Sequence, residues 1–264
     1  MKKIVIASAN EHKISELKKM LSPLNIKVVS YKDILKDDFE IEETGKTFAE
    51  NAKLKAETIA AKTKLPTIAD DSGLCIKALN GEPGLYSARY ANGLGGYENA
   101  WNEINERLKS KNDRDAYFIC VIALAIPDSS TKIFEGRCNG FITFPPRGDK
   151  GFGYDPIFVP NGMGATFAEM SDEEKNSISH RAFAMEKFVK YLEEQEKKSA
   201  QTPKSKSKGD GNNTSKSQPE KVENAENVNP AQPSKQRVKK KSQPSNPMEE
   251  FIDVDVKLDT NENS

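Results

Sequence analysis

A chain of 264 residues can hold one large domain or two small ones, but 36% hydrophobic residues is too few for it to be folded throughout. Its 40 basic and 40 acidic residues cancel, which excludes a whole-molecule attraction to nucleic acid or to an anionic membrane. The 3 cysteines, Cys75, Cys120 and Cys138, are widely spaced in apolar surroundings, so neither a disulfide scaffold nor a metal framework is expected.

Met1-Lys2-Lys3 ahead of the apolar Ile4–Ala7 imitates an export signal, but polar Asn10-Glu11-His12-Lys13 arrives before an export-length core is built. No run approaches the ~18–20 apolar residues that cross a bilayer. A soluble, cytoplasmic protein without a membrane partner is expected.

In chain order, Ile4–Ile6 reads as a short buried strand, and Ile14, Leu17 and Leu21 follow at helical spacing. Val28 and Val29 suggest a second strand. Thr47 and Glu50 have capping-box spacing and open a helix carrying Ala52, Ala56, Ile59 and Ala60, which Pro66 stops. Thr67–Ala69 and Leu74–Ile76 flank Asp70-Asp71-Ser72-Gly73, which reads as an acidic turn where a short strand gives way to a loop. Trp101, Ile104 and Leu108 mark another helix. Ala116–Ile126 is a long β-branched strand with Lys132–Phe144 as its hairpin partner. Ser171 and Glu174 form a second capping box, and Phe183, Phe188 and Leu192 line the face of a closing helix. Strands alternating with helices predict an α/β domain with a mixed sheet over residues 1–196.

Beyond Glu196 the chain turns to Lys, Ser, Gln, Asn and Pro, with almost no aromatic residue until Phe251. Such a segment cannot offset the ~1–2 kcal/mol per residue needed to order a backbone, so residues 197–264 read as disordered. Within it lie basic Arg237–Lys241 and the mixed acidic and apolar Met248–Val256, which read either as solvated linker or as docking motifs for an unknown partner.

Four constellations carry chemistry. Ser8-Ala9-Asn10-Glu11-His12-Lys13 sets backbone N–H groups and a lysine at a helix N-terminus, a place that attracts phosphate, although it lacks the glycines of a P-loop and also reads as a plain capped helix. Glu42, Glu43, Asp70 and Asp71 offer carboxylates in two loops for a magnesium ion bridged to a polyphosphate, or simply decorate turns. Gly151-Phe152-Gly153-Tyr154-Asp155-Pro156 interleaves aromatics with glycines, which suits stacking on a nucleobase or plugging a loop. Lys175, His180 and Arg181 make a donor array for phosphate or a keto oxygen.

Together, Ser8-x-Asn10-x-x-Lys13, Glu43-Thr44-Gly45-x-Thr47-Phe48-x-x-Asn51-Ala52-x-x-Lys55-Ala56, Ala69-Asp70-Asp71-Ser72-Gly73-Leu74, Gly151–Pro156 and Ser179-His180-Arg181 resemble, in order and spacing, the inosine triphosphate pyrophosphatase family over about residues 3–195. The resemblance implies an elongated, two-lobed α/β fold around a long central mixed sheet, and a homodimer. It also implies attack of water on the α-phosphorus of a non-standard purine nucleoside triphosphate, releasing pyrophosphate. On that resemblance Asp71 is the general base. Asp71 and one of Glu42 and Glu43 hold Mg2+, and Asp70 supports the water around it. Lys13, Lys55 and Lys175 clamp the triphosphate, with Ser8, Asn10 and Ser72 as neutral donors in the phosphate loop that also carries Ala9, Glu11 and His12. Phe152 stacks on the base with Gly153 and Tyr154 beside it, and Asp155, His180 and Arg181 surround its edge. The long tail departs from the family pattern.

Two other readings compete. One is a related house-cleaning pyrophosphatase for modified pyrimidine nucleotides, which would carry an arginine-bearing first loop. The other is a binding module that contacts nucleic acid or protein through Arg237–Lys241, although nucleic acid is not the expected partner because acids in the same tail offset that run.

Overall fold

Ile4, Val5 and Ile6 are fully buried and form strand β1 (Lys3–Ile6) in a computed structural model that describes residues 2–36 and 41–201. Asn10 caps α1 (Glu11–Leu21) by accepting the Lys13 N–H at 3.1 Å, and Ile14, Leu17 and Leu21 form the buried stripe. Next come β2 (Lys27–Ser30), the short α2 (Tyr31–Leu35) and α3 (Phe48–Thr63). Thr47 caps α3 by accepting the Glu50 N–H. The Glu50 carboxylate reaches past the cap to the Lys46 N–H at 2.6 Å, so only half of the expected capping box forms.

The chain continues through β3 (Thr67–Ile76), α4 (Ser87–Gly93), α5 (Tyr97–Leu108), β4 (Asp115–Ala125), β5 (Lys132–Ile142) and β6 (Phe158–Pro160). It closes on α6 (Asp172–Ile178) and α7 (His180–Gln201). The Ser171–Glu174 capping box is complete. Ser179, whose extended backbone separates α6 from α7, divides this closing segment into two helices. Phe188 and Leu192 are buried as expected, but Phe183 is exposed, and Ala184 and Met185 hold the inner face instead.

The strands form one mixed sheet in the order β2-β1-β3-β4-β5-β6, parallel through its first three members and antiparallel thereafter. This is the mixed α/β architecture expected. Asp70–Gly73 is not a turn, however. It lies inside the ten-residue β3, paired without interruption to β4 from Thr67↔Ala125 to Ile76↔Ala116. Local turn propensity yields to pairing with a long apolar partner strand, while the other edge of β3 bonds to β1, to the Ser87 hydroxyl through Leu74 N–H and to Glu82 O through Ile76 N–H.

Two consequences position the site. First, β1 ends at Ile6 while its parallel neighbour β3 runs on, so the β1–α1 loop leaves the sheet beside Ala69–Ser72, with Ala7 N–H on Ile68 O at 2.8 Å. Helix α1 packs in the cluster with α7, and α3 packs in the cluster that contains Val5, Ala69 and Val121. The chain after β1 therefore runs to one face of the sheet through α1, and the chain after β2 to the other through α3, which opens a crevice at the carboxyl end of β1. Second, Leu74 and Ile76 belong to a separate cluster with α5 and Phe158, so Asp70–Gly73 bridges from one core to another along a single strand.

Helix α7 continues to Gln201, so residues 197–201, placed by composition in the disordered tail, extend a helix of good helix formers such as Glu, Lys and Gln. The remainder of that tail, including Arg237–Lys241 and Met248–Val256, lies outside the described residues. Among the described residues no helix is long and apolar enough to cross a membrane.

Candidate active site

Side chains alternate across a strand, so neighbouring Asp70 and Asp71 point to opposite faces of the sheet. On the α7 face Asp70 Oδ2 meets Lys13 Nζ at 3.2 Å and Arg181 Nη2 at 3.0 Å. Burial works against the Asp70 charge, but Lys13, Arg181 and Lys55 overcome it and hold the carboxyl well below the usual carboxylate range. On the α3 face Asp71 Oδ1 takes Lys55 Nζ at 3.0 Å, and Oδ2 takes the Asn51 side-chain N–H at 3.3 Å. Here burial prevails over Lys55 and Lys13, with Glu43 adding repulsion, and the Asp71 carboxyl is raised.

The sequence left Glu42 and Glu43 unresolved. The structure separates them: Glu42 is exposed, whereas Glu43 Oε1 takes Lys55 Nζ at 2.6 Å and so shares that ammonium with Asp71. Asn51 fixes the arrangement from α3 by accepting the Gly45 N–H at 2.8 Å, which ties the carboxylate loop to the helix that also supplies Lys55. The four acids proposed as one metal set are therefore not gathered at one point. Glu43 and Asp71 converge, Asp70 faces away and Glu42 stands outside.

A cleft of about 300 Å³ opens here, and one wall is Ser8, Ala9, Asn10 and Lys13. Glu43, Lys55, Ser72, Phe152–Asp155 and the trio Lys175, His180 and Arg181 line the rest, whereas Asp70 and Asp71 stand behind the lining and reach it through Lys13, Arg181 and Lys55. Glu11 and His12 do not line it. Both are exposed, and His12 lies parallel to the Phe152 ring at 5.1 Å between centroids. Trp101 holds the aromatic loop by donating to Gly153 O at 3.0 Å, and Tyr154 donates to Ser87 O at 2.9 Å. Gly151 (φ +71) is required there because a side-chain carbon would lie 2.2 Å from the Asp155 carboxylate. That carboxylate accepts the Phe152 N–H at 2.8 Å and Lys175 Nζ at 2.7 Å, and burial raises it against the pull of Lys175.

His180 stacks on Phe118 at 4.7 Å, and burial, with Arg181 and Lys175, pushes its pKa well below the ordinary value, so the ring is neutral. Neither His180 Nδ1 nor Arg181 Nε finds a hydrogen-bond partner among the described residues. Asn51 stood in a motif without a role, and two further contributors escaped the sequence reading. Glu16, on α1 beyond Lys13, accepts from both Lys175 and Arg181. Arg89 at the rim lies over the Tyr86 ring and 3.9 Å from Glu43. The only sequence signal for Glu16 is its place three residues after Lys13 on the helix that leaves the β1–α1 loop.

Charge decides what such a cleft can bind. Lys13, Lys55, Lys175 and Arg181 share the carboxylates of Glu16, Glu43, Asp70, Asp71 and Asp155, so acids outnumber the buried cations and only half-exposed Arg89 restores balance. A polyphosphate entering it needs an added cation. The Glu43 and Asp71 oxygens that converge on Lys55 are hard donors, and two carboxylates with the remaining positions left to water and phosphate suit a small divalent ion.

A sequence model of the Ham1 family matches residues 4–191. The chain belongs to the Ham1 family. Among its relatives is a protein of Bacillus licheniformis named dITP/XTP pyrophosphatase, 48% identical over 199 residues that cover 74% of this chain and 100% of that protein. The protein of the same name in Bacillus subtilis is 46% identical over 195 residues, covering 73% of this chain and 98% of its own length. Among solved structures, the Ham1 protein of Staphylococcus aureus superposes with a TM-score of 0.67 at 44% identity, covering 74% of this chain and 100% of that one.

Proposed function

We propose that this chain hydrolyses non-standard purine nucleoside triphosphates, the inosine, deoxyinosine and xanthosine forms, to the monophosphate and pyrophosphate, using magnesium, as a cytoplasmic homodimer. The observation that carries the reading is one cleft lined by the β1–α1 loop, Glu43, Lys55 and the aromatic loop of Phe152, with the Asp71 carboxylate joined to Glu43 through the shared Lys55 ammonium. The similarity to relatives named dITP/XTP pyrophosphatase supports the substrate class.

Glu43 and Asp71 would hold the magnesium ion, which when bound neutralises phosphate charge and polarises the phosphoryl group. Asp71, held by Lys55 and Asn51, takes the proton of a water whose oxygen attacks the α-phosphorus. The bond from that phosphorus to the α,β-bridging oxygen breaks, and pyrophosphate leaves with the electron pair. Lys13, Lys55 and Lys175, with Ser8, Asn10 and Ser72, stabilise the negative charge that builds on the leaving pyrophosphate, and do so best when their positions are fixed beforehand. The unpaired Arg181 Nε–H suits a 6-keto oxygen, whereas the 6-amino group of adenine would meet it donor to donor. A base stacking on Phe152 displaces or extends its stack with His12.

The test is pyrophosphate release from inosine, xanthosine, guanosine, adenosine and pyrimidine triphosphates, with and without magnesium. Magnesium-dependent release concentrated on the inosine and xanthosine forms is expected. Release from pyrimidines alone, or from none of the panel, would sink the reading.

A further inference from the structure

Glu16 lies in neither the phosphate loop nor the aromatic loop, yet the two meet at its carboxylate. Oε1 accepts from Lys175 Nζ at 2.8 Å, and Oε2 accepts from Arg181 Nη1. From Lys175 the chain of contacts runs to Asp155 at 2.7 Å and on to the Phe152 N–H at 2.8 Å. From Arg181 it runs to Asp70 at 3.0 Å and to Ser72 Oγ at 3.2 Å, and from Asp70 to Lys13 at 3.2 Å. One unbroken series of charged contacts therefore spans the cleft from the aromatic loop to the phosphate loop, with Glu16 at its middle.

The two cations are fixed in place. Lys175 and Arg181 have side chains 4% and 1% exposed and stand on successive helices, α6 and α7, so each depends on its carboxylate partners for position. Burial opposes the charge on Glu16, but Arg181 and Lys175 outweigh it and hold the carboxyl below the usual range. A bidentate carboxylate between two like charges sets their separation, and neither Asp155 nor Asp70 contacts both.

We propose that Glu16 is a positioning residue that couples the aromatic loop to the phosphate loop, so that turnover depends on which base occupies the former. The proposal rests on the pyrophosphatase reading and deepens it. A base that fits badly displaces the Phe152–Asp155 loop. Through Lys175, Glu16 and Arg181 that displacement reaches Asp70 and Lys13, and the triphosphate sits poorly for attack.

The experiment compares kcat and KM for inosine and guanosine triphosphates in the full-length wild type, Glu16→Gln and Glu16→Asp, with thermal unfolding alongside. Glu16→Gln keeps size and loses the charge. Glu16→Asp keeps the charge but is one methylene short of reaching both cations, and it carries the test if the first variant does not fold. Each folded variant is expected to lower the inosine-to-guanosine ratio of kcat/KM by roughly tenfold, within the ~2- to 30-fold range of such couplings, mainly through kcat for the inosine form. A folded variant that is less stable but keeps that ratio within about twofold would make Glu16 an ordinary structural ion pair and overturn the proposal alone. A wild type that releases pyrophosphate from neither nucleotide would overturn the pyrophosphatase reading and this proposal with it.

Discussion

Replacing Asn51 by alanine tests whether the two converging carboxylates are held from α3. Asn51 is fully buried and makes two bonds that alanine cannot, accepting the Gly45 N–H at 2.8 Å and donating to Asp71 Oδ2 at 3.3 Å. A bond to a charged group contributes ~1.5–3 kcal/mol, and an orphaned buried donor costs ~1–3 kcal/mol. The Asp71 bond is long, Gly45 is only half-buried and Asp71 keeps Lys55, so the lower half of the combined range applies. Asn51→Ala should then lose about 2.5–4 kcal/mol. At ~2–4 °C per kcal/mol for a domain of this size, the midpoint falls by about 5–15 °C. Gly45 is two residues from Glu43, so the carboxylate loop also loosens. The magnesium concentration for half-maximal pyrophosphate release should rise by about 10-fold or more, in the range seen when a residue supporting a metal ligand is removed. Urea unfolding with a magnesium titration measures both. A loss below about 1 kcal/mol with an unchanged magnesium requirement would refute the reasoning.

The other predictions separate groups by position. Glu43→Gln should raise the magnesium requirement about 10-fold or more while exposed Glu42→Gln leaves it unchanged, and equal effects in a magnesium titration would remove the assignment. Lys13→Ala should lower kcat/KM for inosine triphosphate by about 10- to 100-fold, since a charge-assisted contact to phosphate is lost, and steady-state kinetics with neither constant changed would reject the clamp role. His180 has a depressed pKa in the folded state, so as pH falls below about 6.5 the unfolded chain takes up its proton first and stability drops. Between pH 6.5 and 5.5 the wild type should lose about 1 kcal/mol through this residue, and His180→Gln should flatten that segment of the stability curve in urea titrations. Curves of equal slope would mean that the ring titrates normally.

How far the sequence could be read follows from which interactions are local. Asn10, Thr47 and Ser171 announce helix starts because a cap bonds within three residues of itself, and all three act as caps. The cleft-lining positions Ser8, Asn10, Lys13, Lys55, Ser72, Phe152 and Arg181 were visible as motif residues, and they meet because β1 and β3 lie side by side. Asp70-Asp71-Ser72-Gly73 misled because its composition favours a turn, while pairing with a partner strand some 50 residues away makes it strand. That pairing, invisible locally, also turns the two aspartates to opposite faces. Glu16 was hidden for the same reason: within Ser15-Glu16-Leu17-Lys18 it looks like a solvated helix residue, and its partners Lys175 and Arg181 come from the other end of the domain. The different settings of Glu42, exposed, and Glu43, bonded to Lys55, follow from the reach of Lys55 from α3, which no spacing rule supplies.

The most direct test of the catalytic account is hydrolysis of inosine triphosphate in water labelled with heavy oxygen, by the wild type and by Asp71→Asn. The account predicts label in the monophosphate from the wild type, because water attacks the α-phosphorus, and turnover all but abolished in a variant that remains folded. Label in the pyrophosphate, or an Asp71→Asn enzyme with near-normal turnover, would contradict it.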